Sequence, residues 1–170
     1  MPVTENASYK NSLFCFARKD GNDPNYKLFV MDVGAPAPGQ QKHNISVEIA
    51  MAPDAQGDFP VLMQASPKYG VIFLMTKFGY FFMFEASTGA LIYRQRITDQ
   101  LPFVSVRNGS TDGMISINRA GQVHAINVDE DNLIKFIAGA QHIPNNAKLS
   151  FTMASRFGLS GADDLFKGQF

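Results

Sequence analysis

From Leu13 onward the chain alternates short apolar runs with small polar turns, and the alternation is periodic. Residues 70–97, GVIFLMTKFGYFFMFEASTGALIYRQRI, run an apolar segment into a basic turn, then a second apolar segment, a polar turn and a third. Residues 112–139, DGMISINRAGQVHAINVDEDNLIKFIAG, repeat that order. Aligning Gly79 with Gly121 gives a spacing of 42 (121 − 79), and the same offset carries Lys77 onto Arg119, Leu91 onto Leu133, Ile92 onto Ile134 and Phe59-Pro60 onto Leu101-Pro102. A repeat of roughly 40–45 residues holding four short strands is the period of a propeller blade.

The unit from Phe59 divides into FPVLMQA, GVIFLMT, YFFMFEA and ALIYRQRI, separated by SPKY, KFG and STG. These predict four strands with turns marked by Gly or Pro. The unit from Leu101 divides into LPFVSV, GMISIN, QVHAINV and NLIKFIAG, and the same reasoning makes all four strands. A looser copy precedes both: SLFCFARK, a turn containing DGNDPN, YKLFVMDV, the loop GAPAPGQQKH, and NISVEIAM. Three strands are clear there, and the first strand of that blade is poor or missing.

Past Gly139 the two-residue alternation stops. Leu149, Met153 and Phe157 fall four apart, with Asn145 or Asn146 before them as N-cap, so a helix is predicted. Gly158 stops it; Ser160 caps a second helix whose apolar face is Ala162, Leu165 and Phe166. The expected fold is thus mainly β: a partial β-propeller of about three blades of four-stranded antiparallel sheet, followed by an α-helical hairpin. The propeller region spans residues 1–139, with blades at about 12–50, 59–97 and 101–139, and the helical linker is 140–170. Propellers close with roughly four to eight blades, so three leave open edges that invite association and predict a fragment of something larger.

Composition adds little to this and excludes much. Hydrophobic residues make up 45% and charged residues 18%, as in an ordinary globular chain, and 15 basic residues balance 15 acidic ones. No global field would draw the chain to nucleic acid or to an anionic membrane. Runs such as Val71–Met75 are cut by Lys77 long before the roughly 20 residues a membrane span needs, and MPVTENASYKN lacks the basic and apolar regions of a signal peptide. A cytoplasmic protein is expected, and the single Cys15 agrees because it cannot form an internal disulfide.

Reaction chemistry is hard to find in the sequence. His43, His124 and His142 stand far apart without metal-ligand spacing, and Cys15 in LFCFA reads as a small core residue without a base beside it. Counting twelve residues from Asp129 ends on Ala140, where a calcium loop needs glutamate. No P-loop or G-x-S-x-G string occurs, and the three N-x-S tripeptides at Asn6, Asn44 and Asn108 read as chance in a chain that is not secreted. The aromatic run Tyr80, Phe81, Phe82 and Phe84 could be a base-stacking platform, but without a basic groove it reads as core between blades. No enzyme activity, cofactor or metal is expected.

The strings SLFCFA, DAQGDFPVLMQ, VIFLMTKFGY, STGALIYRQRI, INRAGQV, EDNLI and LSGADDLF, in this order and spacing, resemble the clathrin heavy chains over nearly the whole sequence. The resemblance implies the last three of seven propeller blades and the first hairpin of the α-zigzag linker. It also implies a structural role: heavy chains assemble as triskelia into lattices on the cytoplasmic face of coated pits and vesicles, and the propeller binds short linear motifs of adaptor and accessory proteins in endocytosis and vesicle transport. Light chains and other heavy chains would engage other regions of the full-length protein.

The family's clathrin-box groove, between its first and second blades, falls outside this chain. At a second groove a basic residue of the family pattern aligns with Asn44, so no site residue is carried over there. A further peptide site, between the sixth and seventh blades, uses an apolar residue and an arginine that align with Phe81 and Arg96. Phe81 would be the apolar anchor and Arg96 the contact to an acidic group or a backbone carbonyl; the alternative is that Phe81 is ordinary blade core and Arg96 a solvated strand end. Another WD40-like propeller scaffold is the alternative, and a propeller enzyme a more distant one.

Overall fold

The computed structural model describes residues 13–159 apart from 24, 37 and 40. Three antiparallel sheets are followed by two helices, the make-up of a partial propeller with a helical hairpin. The first sheet is β1 (Leu13–Lys19), β2 (Tyr26–Asp32) and β3 (Asn44–Ile49). The second is β4 (Pro60–Ser66), β5 (Val71–Thr76), β6 (Tyr80–Glu85) and β7 (Leu91–Arg96); the third is β8 (Pro102–Arg107), β9 (Met114–Asn118) and β10 (Val123–Ile126). In each sheet the strands pair in chain order. The chain divides into two compact units at Ala50/Met51, so that the first sheet forms one and the rest the other.

The repeat of 42 is visible in individual hydrogen bonds. Lys77 N–H donates to the Phe59 carbonyl at 2.8 Å, and Arg119 N–H donates to the Leu101 carbonyl at 2.8 Å, one repeat later. Gly79 and Gly121 N–H close the following turns onto Thr76 and Asn118, at 3.0 and 2.9 Å, with φ of +83° and +82°. The strand register shifts at Pro60/Leu62 and again at Pro102/Val104, where each proline withholds a ladder donor.

One expectation needs correction. NLIKFIAG is not the fourth strand of the third blade: residues Glu130–Gly139 form a helix, α1, so the third sheet has three strands among the described residues. Leu133, Ile134 and Ile137 lie on one helical face and are buried, while Glu130 and Asp131 place carboxylates in the first turn, where the helix dipole favours them. Among the described residues the helical hairpin is formed by α1 and α2 (Asn146–Phe157). The expected helix from Ser160 lies outside the described residues.

Within α2, Leu149 and Met153 are buried as their spacing predicts, with Phe157 partly buried beside them. Asn145 occupies the N-cap position in the left-handed region, φ +53°, and Gly158 ends the helix at φ +62°. The Asn146 side chain reaches back, donating to the Ala138 carbonyl at 2.8 Å, and so satisfies an otherwise unpaired group at the end of α1.

The core of the second unit lies on one face of β4–β7. Val71, Phe73, Met75, Phe81 and Met83 pack there with Met114 of β9, with Leu133, Ile134 and Ile137 of α1, and with Leu149, Met153 and Ala154 of α2. Gln64 of β4 donates to the Ser105 hydroxyl at 3.1 Å, tying the second sheet to the third. At the STG turn the buried Glu85 carboxylate accepts from the backbone and hydroxyl of both Ser87 and Thr88, at 2.6–2.9 Å, which is how a carboxylate is tolerated there.

The first turn of α1 is pinned to the second sheet by Glu130, which accepts from Lys68 Nζ at 2.7 Å and from the Tyr69 hydroxyl at 3.0 Å. Those two donors hold the Glu130 carboxyl below its ordinary value and the Glu130 partner raises Lys68. A lowered carboxylate pKa contributes stability above its unfolded value and loses it as pH falls through the folded one. The Tm difference between the native chain and Glu130→Gln should therefore be present at neutral pH and fade in acid, as pH falls through the lowered pKa of the folded state. A pH-independent difference would show that Glu130 acts through packing alone.

Candidate functional site

Phe81 and Arg96 sit on neighbouring strands, and their register decides what they can do together. Tyr80 pairs with Arg96 and Phe81 with Gln95, so the side chains of Phe81 and Arg96 leave the sheet on opposite faces. Phe81 is 4% exposed and packs against Phe73 and Tyr93, with ring centroids 5.8 and 6.3 Å away. Where the sequence suggested an inter-blade groove, α1 and α2 fill the space over this face. The structure does not bring the pair together.

Arg96 is exposed, its Nε donating to the Phe78 carbonyl at 3.0 Å and its guanidinium 5.8 Å from the centre of the Tyr80 ring. On the turn beside it, the Lys77 ammonium lies 5.4 Å from the Phe59 ring centre and 5.8 Å from that of Phe78. Tyr80 donates its hydroxyl to Asp54 at 3.1 Å; its own pKa is raised by partial desolvation and by that carboxylate. Phe59, Lys77, Phe78, Tyr80 and Arg96 thus form a strip of two cations and three aromatic rings at one end of the second sheet. Neither Lys77 nor Arg96 has a carboxylate partner among the described residues. Cations held over ring faces stay available to an incoming carboxylate, and the rings offer apolar area beside it.

Sequence reasoning misses four members of this strip. In the sequence Lys77 stands out as a repeat position and as the break in an apolar run, and Phe59 as a repeat position at a strand start. The one local signal is the KFGY turn itself, a cation and two aromatics around a glycine.

The residues considered for other chemistry are scattered. His43 N–H donates to Asp32, His124 contacts the Asn118 amide, and His142 Nε2 lies 3.1 Å from the Ile92 carbonyl. Cys15 is half-buried on β1, and burial pushes its thiol up, away from the reactive thiolate. Among the described residues no three of His, Cys, Asp and Glu converge as metal ligands, and no helix is long and apolar enough to cross a membrane.

No family model matches the sequence. Curated proteins do. The chain is 39% identical over 160 residues to a clathrin heavy chain of Drosophila melanogaster, covering 94% of this chain and 9% of that one. It is 38% identical over 160 residues to clathrin heavy chain 2 of Homo sapiens (94% and 10%), and 40% identical over 163 residues to a probable clathrin heavy chain 1 of Caenorhabditis elegans (94% and 9%). The chain spans about a tenth of the length of the curated relatives it matches. Identity at this level, sustained from the first sheet to α2 and carried by proteins of one name from several species, makes this chain a homologue of one segment of the clathrin heavy chains.

Proposed function

We propose that the chain serves within a clathrin-type coat scaffold on the cytoplasmic face of coated pits and vesicles, and that its second sheet is a docking platform for short adaptor motifs. The homology across 94% of the chain carries the scaffold reading. The binding reading is supported by the strip around Arg96, where two cations without carboxylate partners among the described residues lie over aromatic rings. A peptide pairing an acidic residue with an apolar one matches that chemistry, the acid meeting Arg96 or Lys77 and the apolar group lying on Phe59 or Phe78. Phe81 contributes from beneath, by holding β6 in place. Light chains and other heavy chains would engage segments outside the matched tenth. No step of this function requires a cofactor or a bond-breaking centre.

The test is Arg96→Ala against a panel of acidic-apolar adaptor peptides, read by fluorescence anisotropy. Loss of a charge-assisted contact should weaken at least one peptide about fivefold to tenfold, with Tm unchanged. Unchanged affinity for every peptide would remove Arg96 from the site.

A further inference from the structure

Asn108, on the turn between β8 and β9, is the one asparagine of the chain that is followed by glycine. Its side chain folds back over that turn: Oδ1 accepts from the Ser110 N–H at 3.2 Å and from the Ser110 hydroxyl at 2.7 Å. Two donors on one carbonyl oxygen make Cγ more electrophilic, and they face the atom on which negative charge would develop if Cγ were attacked. Neither the Gly109 N–H nor the Asn108 Nδ2 group makes a hydrogen bond among the described residues. Gly109 is exposed, and a Cβ placed on it would meet nothing within 4 Å, so a ring has room to close there. Asn118, at the following turn, has the opposite arrangement. It is buried, its amide donates to Thr98 at 3.2 Å and Gln122 at 2.7 Å, and the next N–H, of Arg119, is engaged by the Leu101 carbonyl.

We propose that Asn108 is a self-modification site, activated by Ser110, that converts to aspartate and isoaspartate with water as its only co-reactant. The Gly109 nitrogen gives its proton to hydroxide and attacks Asn108 Cγ. As the new N–Cγ bond closes a succinimide ring, charge gathers on Oδ1, where the two Ser110 donors meet it. The Cγ–Nδ2 bond then breaks, and Nδ2 takes a proton from water and leaves as ammonia, which restores the hydroxide. Water opens the ring in one of two ways. Opening at Cγ gives aspartate; opening at the main-chain carbonyl gives isoaspartate, whose backbone is longer by a methylene. Either product replaces a neutral amide with a carboxylate on a turn that already holds the Arg107–Asp112 ion pair. The longer backbone also disturbs the bond from Asn108 N–H to the Gly113 carbonyl, 2.9 Å, that closes the turn.

The test is to age the native chain at mildly alkaline pH beside a free peptide spanning Asn108–Arg119, and to read both by tandem mass spectrometry after tryptic digestion. An unaged sample sets the background of the digestion. The folded chain should become heavier by one mass unit at Asn108 at least as fast as the peptide does, while Asn118, in the same tryptic fragment, stays unchanged. Ser110→Ala should slow the folded chain about threefold to tenfold, the loss of one hydrogen bond to the developing charge, and leave the peptide's rate as it was. Isoaspartate methyltransferase with labelled S-adenosylmethionine should label the aged chain and not an aged Asn108→Gln variant. A folded chain slower than the peptide overturns the proposal, because the fold would then protect Asn108. Equal gain at Asn118, a native rate in Ser110→Ala, or an aged chain that takes no label overturns it as well.

Discussion

Gly79→Ala is expected to lower the free energy of unfolding by about 2–5 kcal/mol, whereas Gly121→Ala, one repeat later, should cost only about 1–2 kcal/mol. Both glycines have φ near +80°, so both substitutions incur the left-handed penalty of an L-residue. Their surroundings differ. A Cβ on Gly79 would overlap the carbonyl oxygen of Thr98, far inside 3.0 Å, and backbone cannot swing away as a side-chain tip can. A Cβ on Gly121 would meet nothing within 4 Å. The Gly79 turn also anchors the start of the next repeat, since Ile97 N–H donates to the Gly79 carbonyl at 2.9 Å. Urea denaturation of the two variants side by side is the measurement. Equal costs would mean that the close approach of Thr98 is relieved without penalty.

Phe81→Ala is expected to cost about 3–5 kcal/mol, in the range of large-to-small changes at buried aromatic positions. The ring is enclosed by Phe73, Tyr93 and the helical layer, and this rigid surround cannot collapse into the space it leaves. Arg96→Ala should change stability by less than about 0.5 kcal/mol, as an exposed residue whose one described hydrogen bond goes to a backbone carbonyl. Together the two variants separate folding from recognition. A Phe81→Ala protein as stable as the native chain would show that the helices do not cover β6 as described.

The strands are readable because their signals are local. Lys77 and Arg119, Gly79 and Gly121, and Phe59-Pro60 and Leu101-Pro102 mark one turn geometry written twice, and the hydrogen bonds at those positions agree. The same repeat misleads at α1. Leu133 and Ile134 align with Leu91 and Ile92 of a real strand, and Ile134, Phe136 and Ala138 alternate as a strand would. What decides for a helix is which apolar residues find a partner: Leu133, Ile134 and Ile137 are buried, while Phe136 is 44% exposed, set edge-on to Tyr93. The acidic run Asp129-Glu130-Asp131 is the sequence-level sign of a helix start. The site is less legible. Whether Phe81 and Arg96 share a face depends on how β6 and β7 register across a turn, and a shift of one residue reverses the answer.

Pairing strictly in chain order also sets a timetable. Every strand of a sheet finds its partner within a hairpin, so each sheet can zip soon after its own residues are available. The layer that covers Phe73 and Phe81 is written later: Ile134 follows Phe81 by 53 residues (134 − 81). At a synthesis rate of about 5–20 residues per second, the second sheet waits on the order of several seconds with its most apolar face bare. In a growing chain that interval, and not the pairing of strands, is when this protein is most in need of a chaperone.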